Sequence, residues 1–188
     1  FDFNDEELKP YFQLDKVQEA VFGLAGKLFG LEFVETTDIQ KYHADVKTYE
    51  IFERYEIRDT RYEIENVESL ETRNPELGTQ FKALLYADYH PRKGKRAGAW
   101  MTSFKNQYIK NGKNHRPHIS VVCNFTKPNS ETPSLLTFNE VTTLFHEFGH
   151  ALHGVLANTQ YPNLSGTSVK WDFVELPSQF LENYCYEP

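Results

Sequence analysis

The sequence has little cysteine, a single methionine, no long apolar run and no excess of positive charge, and each shortage excludes something. Two cysteines, Cys123 and Cys185, cannot build a disulfide framework for 188 residues and read as reduced thiols of a cytoplasmic protein. No stretch approaches the ~18 consecutive apolar residues needed to cross a bilayer, and no signal peptide opens the chain, so no membrane partner is expected. Lys and Arg number 20 against 27 Asp and Glu, a formal charge of −7. A surface of that sign repels phosphate backbones and argues against a nucleic-acid partner. Met101 is the only methionine, and the segment Phe180 to Pro188 breaks off within a helical pattern. Residues 1–188 are therefore expected to be one fragment of a longer protein. What is present is a foldable composition, 39% hydrophobic and 15% aromatic. At this length a single domain can bury roughly 70% of the surface its unfolded chain exposes.

Apolar residues Leu14, Val17, Val21, Leu24 and Leu28 recur at helical spacing, predicting a helix from Glu6 to Gly30 with Pro10 in its first turn and Gly30 as its stop. Strands are expected over Leu31–Thr36, Val46–Glu53, Phe81–Tyr89 and His118–Phe125, the last being the most apolar and β-branched. Tyr55, Ile57, Tyr62 and Ile64 alternate with charged residues around Asp59-Thr60, which reads as a half-exposed hairpin. Half of the residues from Glu53 to Glu76 are charged, the mark of a solvated insertion. Pro91-Arg-Lys-Gly-Lys-Arg96 reads as a solvated turn. A long helix from about Asn139 to Ala157 follows, with Thr137 or Asn139 as its N-cap, and a final helix spans about Asp172 to Tyr186. This order of helix, strands and helices predicts an α+β fold.

The chemistry concentrates in His146-Glu-Phe-Gly-His150. Residues four apart on an α-helix differ by about 40° and about 6 Å along the axis, so both imidazoles can reach one ion. Imidazole nitrogen suits Zn²⁺, and Glu147 sits beside the pair, where a base can address a nucleophilic water. A shuffled chain of this composition would show the pattern about 0.03 times. Context lowers that figure, because Val141, Leu144, Phe145, Phe148, Leu152 and Val155 form an apolar stripe and the histidines fall opposite it. A tetrahedral site with one position left for water needs a third protein ligand. Asp172, Glu175, Glu182 and His153 are the candidates downstream. His153 lies about 10 Å along the same helix from His146, too far to share the ion comfortably. Asp172 as an N-cap with Glu175 as its capping-box partner competes with ligation by Glu175.

His146-Glu-Phe-Gly-His-Ala-Leu-His153, Leu164-Ser-Gly-Thr-Ser-Val169 and Asp172-Phe-Val-Glu-Leu-Pro-Ser-Gln179 together resemble the thimet oligopeptidase and peptidyl-dipeptidase family of zinc metallopeptidases. The resemblance is nearest to the bacterial peptidyl-dipeptidase branch. Tyr86-Ala-Asp-Tyr-His-Pro-Arg92, Lys95-Arg-Ala-Gly-Ala-Trp100 and Pro117 to Thr126 extend it, so that it is specific from about Leu85 to Tyr184. Position by position it implies His146, His150 and Glu175 as ligands of one zinc ion and Glu147 as general base. It further implies a zincin-like core, with an active-site helix bearing the two histidines and a second helix bearing the third ligand. The implied parent is larger, mainly helical and two-lobed, and acts on short peptides. The groups that stabilise the substrate carbonyl are expected beyond Pro188, in the remainder of that parent. Two rival readings stand beside peptide hydrolysis: a zinc-stabilised fragment without catalysis, and an interaction module with an accidental motif. A further expectation is that His118–Phe125 offers a free edge to an extended peptide.

Overall fold

The structure, a computed structural model, describes residues 5–56 and 77–187. The hairpin expected around Asp59-Thr60 and most of the charged stretch lie outside the described residues. The N-terminal helix is divided rather than continuous. A short helix α1 (Asp5–Leu8) runs into a 3-10 turn (Lys9–Tyr11) that holds Pro10 near its start, and α2 (Leu14–Phe29) begins anew. Proline has no N–H to donate and its ring crowds the preceding turn, so the continuous helix was the wrong expectation here. Gly30 ends α2 in the left-handed conformation, φ 66°, and its N–H bonds to the Gly26 carbonyl.

Five strands form one sheet: β1 (Leu31–Glu35), β2 (Lys47–Glu56), β3 (Leu77–Asp88), β4 (Trp100–Lys105) and β7 (His118–Val122), in the order β1-β2-β3-β7-β4. Between β4 and β7 a small hairpin pairs β5 (Tyr108–Lys110) with β6 (Lys113–His115). β7 runs parallel to β3 and antiparallel to β4. Both of its edges are therefore filled by the protein's own strands, which overturns the expected free edge at His118–Phe125. The continuous apolar run His-Ile-Ser-Val-Val is the pattern of a strand covered on both faces, and four of its five residues are buried. β4, not β7, ends the sheet.

The turn between β3 and β4 is largely exposed, as expected, but departs from the solvated reading at Lys95 and Arg92. Lys95 is not solvated: its side chain is 3% exposed, and its Nζ reaches the Asp88 carbonyl and Asp88 Oδ1, both at 2.9 Å, the His90 carbonyl at 2.8 Å and the Cys123 carbonyl at 2.5 Å. Arg92 adds a two-pronged bond to the same Asp88 carboxylate, at 2.6 and 2.9 Å, and Tyr42 Oη donates to it at 3.0 Å. A buried carboxylate needs such partners, and here they tie the turn to the ends of β3 and β7.

α3 (Phe138–Val155) lies against β4 and β7 and shares one core with α2. Thr137 is its N-cap in a complete capping box: Thr137 Oγ1 accepts from the Glu140 N–H, and Glu140 Oε2 accepts from the Thr137 N–H. Phe148 on α3 meets Phe22 of α2 and Phe33 of β1, with ring centroids 5.5 and 5.6 Å apart. All six residues of the expected apolar stripe are buried. At the other end, Arg116 donates to the Val155 and Ala157 carbonyls and to the Lys82 carbonyl, placing a cation where the helix dipole is negative. α4 (Leu176–Glu182) packs along α3 and is shorter than the expected Asp172–Tyr186; tight turns cover 171–175, and a 3-10 turn covers Asn183–Cys185. Leu176 and Pro177 open α4, and Asp172 does not cap it. No helix among the described residues is long and apolar enough to cross a membrane.

Candidate metal centre

α3 carries His146, Glu147 and His150 on adjoining positions, and the turn leading into α4 delivers Glu175 across to them. Glu175 sits at the N-cap position of α4, its side chain free of capping, rather than inside the helix. Glu175 Oε2 lies 3.0 Å from His150 Nε2 and 3.2 Å from His146 Nε2. The two imidazoles meet edge to face, 85° apart with centroids at 4.9 Å. The three ligand-type atoms all lie within 4.8 Å of one another. A tetrahedral zinc ion with bonds of about 2.0–2.1 Å separates its ligand atoms by roughly 3.4 Å. Two imidazole nitrogens and one carboxylate oxygen at these spacings therefore fit a zinc-sized divalent ion. Asp172 and His153, two of the other candidates, are outside the group: Asp172 is exposed in the preceding turn, and His153 stands edge-on to Phe173.

The approach of α4 depends on a glycine. A Cβ at Gly149 would stand 2.6 Å from the Pro177 carbonyl oxygen and 2.6 Å from Ser178 Cα, closer than real side chains come to backbone. Gly149 of His146-Glu-Phe-Gly-His150 is thus what lets the two helices come close enough for Glu175 to meet the histidines. Ser178, fully buried, adds a second restraint, its hydroxyl 2.9 Å from both the Glu175 carbonyl and Glu175 Oε2.

Electrostatics follow the geometry. Burial lowers the His150 imidazole below its ordinary value despite the nearby Glu175 charge, which favours the neutral, ligating form. Burial acting alone would raise the Glu175 carboxyl, but the Ser178 hydroxyl and the two imidazoles outweigh it and hold the group below its usual value. Glu147 is buried, and desolvation lifts its carboxyl above the ordinary range against the lowering influence of His146 and of a hydrogen bond from the Met101 backbone. That bond sets Glu147 beside β4, the strand that ends the sheet.

Glu182 was a candidate ligand by sequence; the structure instead sets its Oε1 2.5 Å from His146 Nδ1, on the side of the ring away from Glu175. Sequence reasoning missed this contact, although the i,i+7 relation between Glu175 and Glu182 puts both carboxylates on one face of a helix, two turns apart. It also missed Gly149, which acts through close backbone approach, and Ser178, which acts through its hydroxyl on Glu175.

The model of peptidase family M3 matches residues 1–188. The chain is similar to dipeptidyl carboxypeptidase of Escherichia coli K12, 42% identical over 189 residues and covering 100% of this chain and 24% of that protein. It is also similar to oligopeptidase A of the same organism, 37% identical over 190 residues, which are 100% of this chain and 25% of that protein. A thimet-like oligopeptidase of Dictyostelium discoideum is 36% identical over 95% of the chain and 24% of its own length. The chain thus spans about a quarter of the length of these relatives. From end to end its sequence falls within one group of peptidases, and the chain belongs to peptidase family M3.

Proposed function

We propose that residues 1–188 are the zinc-binding catalytic core of a larger peptidase that hydrolyses short peptides in the manner of a peptidyl-dipeptidase or oligopeptidase. The observation that carries the reading is the convergence of His146, His150 and Glu175 with Glu147 buried beside them. His146, His150 and Glu175 hold one zinc ion. When bound, zinc supplies Lewis-acid polarisation of the scissile carbonyl and of the attacking water. The remaining work falls to the protein. A Glu147 carboxylate oxygen takes the proton of the attacking water and passes it to the leaving amine, while the Met101 backbone bond keeps that carboxylate in place. Ser178 and the close approach at Gly149 hold Glu175 on its partners.

The same proposal makes this chain alone a folded metal site with little turnover. Its match to a quarter of each relative's length supports that, as does an apolar face on α4 and the loop before it: Trp171, Leu176 and Phe180 are exposed, and Phe180 lines a cleft of about 410 Å³. The rest of the parent covers this face and supplies the donors for charge developing on the carbonyl oxygen, each worth about 10²–10³ in rate. A cytoplasmic location belongs to the proposal too, in keeping with the unpaired thiols of Cys123 and Cys185. The test is Glu147→Gln in the full-length parent. The variant should keep zinc and peptide binding and lose nearly all turnover, because an amide accepts no proton; hydrolysis near the parental rate would remove Glu147 from the role of base.

A further inference from the structure

α4 brings two carboxylates, not one, to α3. Glu175 precedes its first turn and Glu182 closes its last, so they stand roughly 10 Å apart along its axis, and the His146 ring lies between them. Glu175 Oε2 faces His146 Nε2 at 3.2 Å, and Glu182 Oε1 faces His146 Nδ1 at 2.5 Å. His150 has no counterpart: its Nδ1 is buried and meets no hydrogen-bond partner among the described residues. The two histidines are therefore held differently.

We infer that Glu182 is the positioning residue for His146, accepting its Nδ1–H and so fixing the tautomer and ring angle that turn the Nε2 lone pair toward Glu175 and His150. The inference rests on the zinc reading given above. A neutral imidazole carries one proton, and an ionised carboxylate can only accept, so the short contact places that proton on Nδ1. Nε2 is then left with a lone pair on the side where the ligand atoms converge. The carboxylate also polarises the ring and makes Nε2 a better donor to a cation. Because Glu175 and Glu182 sit on one short helix, movement of α4 away from α3 would withdraw the third ligand and release His146 together. Rigid coupling of this kind makes the site all-or-none rather than gradually loosened.

The experiment compares zinc affinity of the unaltered protein, Glu182→Ala and Glu182→Gln by competition with a chromophoric chelator, alongside metal-free melting curves and nitrogen-detected NMR of the histidine rings. Glu182→Ala should bind zinc about 10–100-fold more weakly. Glu182→Gln, whose amide oxygen still accepts, should fall between, and the His146 Nδ1–H resonance should move upfield in it. Glu182→Gln is nearly isosteric, so it keeps the test decisive if the alanine variant does not fold. Equal affinity in the unaltered protein and both variants, within about twofold, would overturn the inference, as would a zinc-loaded His146 protonated on Nε2. No zinc binding by the unaltered protein would be a different result, overturning the reading of the metal site itself.

Discussion

Gly149→Ala separates packing from ligation. The new Cβ would lie 2.6 Å from the Pro177 carbonyl oxygen, 2.6 Å from Ser178 Cα and 3.0 Å from the Pro177 carbonyl carbon. These are backbone atoms, so no rotamer change relieves them; reaching ordinary contact requires α4 to retreat by roughly 0.9 Å, against ordinary nonbonded carbon separations of about 3.5 Å. Overpacking of this size costs about 1–3 kcal/mol. Alanine returns about 0.8–1.0 kcal/mol through its greater helix propensity. The net loss of stability is thus about 0–2 kcal/mol, small enough for the chain to stay folded. The proposed metal site has no such compensation. Glu175 lies two residues before Pro177, and a functional constellation tolerates displacements of only about 0.5 Å. Zinc affinity should therefore fall at least about tenfold while metal-free melting moves by a few degrees. Chelator competition and thermal melts, each with and without zinc, measure both quantities. Zinc affinity within about twofold of the unaltered protein would refute the argument that close helix approach assembles the site.

Two further outcomes concern the buried charges that anchor the β3–β4 turn. Lys95→Met leaves Asp88 with only Arg92 and Tyr42 and strips the Lys95 contacts from the His90 and Cys123 carbonyls; it should cost about 3–5 kcal/mol in urea unfolding, and a loss below 1 kcal/mol would show that the cluster is not structurally important. Burial would raise the Asp88 carboxyl, but Arg92, Lys95 and Tyr42 prevail and hold it below its ordinary value of 3.8. A depressed folded value means a contribution fully present above about pH 4 and lost as the pH falls through the folded value, so acid unfolding of the unaltered protein should steepen below about pH 4 and Asp88→Asn should flatten that limb. Identical acid limbs in the two proteins would contradict the assignment.

Local pattern carried the elements whose identity depends on neighbours in sequence. The stripe from Val141 to Val155 and the N-cap candidate Thr137 marked α3, and the Gly30 stop ended α2, because all are signals within one or two turns. The candidate group His146, His150 and Glu175 was legible partly through i,i+4 spacing and partly through family resemblance, and the geometry draws those three together. Spacing alone left Asp172 and Glu182 open, and α4 proved shorter than the apolar pattern suggested because tight turns hold 171–175. What stayed hidden depends on distant pairing. An apolar run such as His118–Val122 announces burial but not which strands flank it, so its free edge was misjudged. Lys95 looked like a surface lysine because its acceptors at Asp88, His90 and Cys123 converge only after β3 and β7 have paired. Gly149 gave no signal as a single residue, and Glu182 stood out only as a candidate ligand; the close approach at the one and the contact of the other with His146 appear once two helices lie side by side.

Metal content of the purified protein tests the central claim most directly. After saturation with zinc and dialysis, elemental analysis should find one zinc per chain in the unaltered protein and little or none in His150→Ala and Glu175→Ala, with all three confirmed as folded. Stoichiometric zinc retained in both variants, or none in the unaltered protein, would contradict the site built from His146, His150 and Glu175.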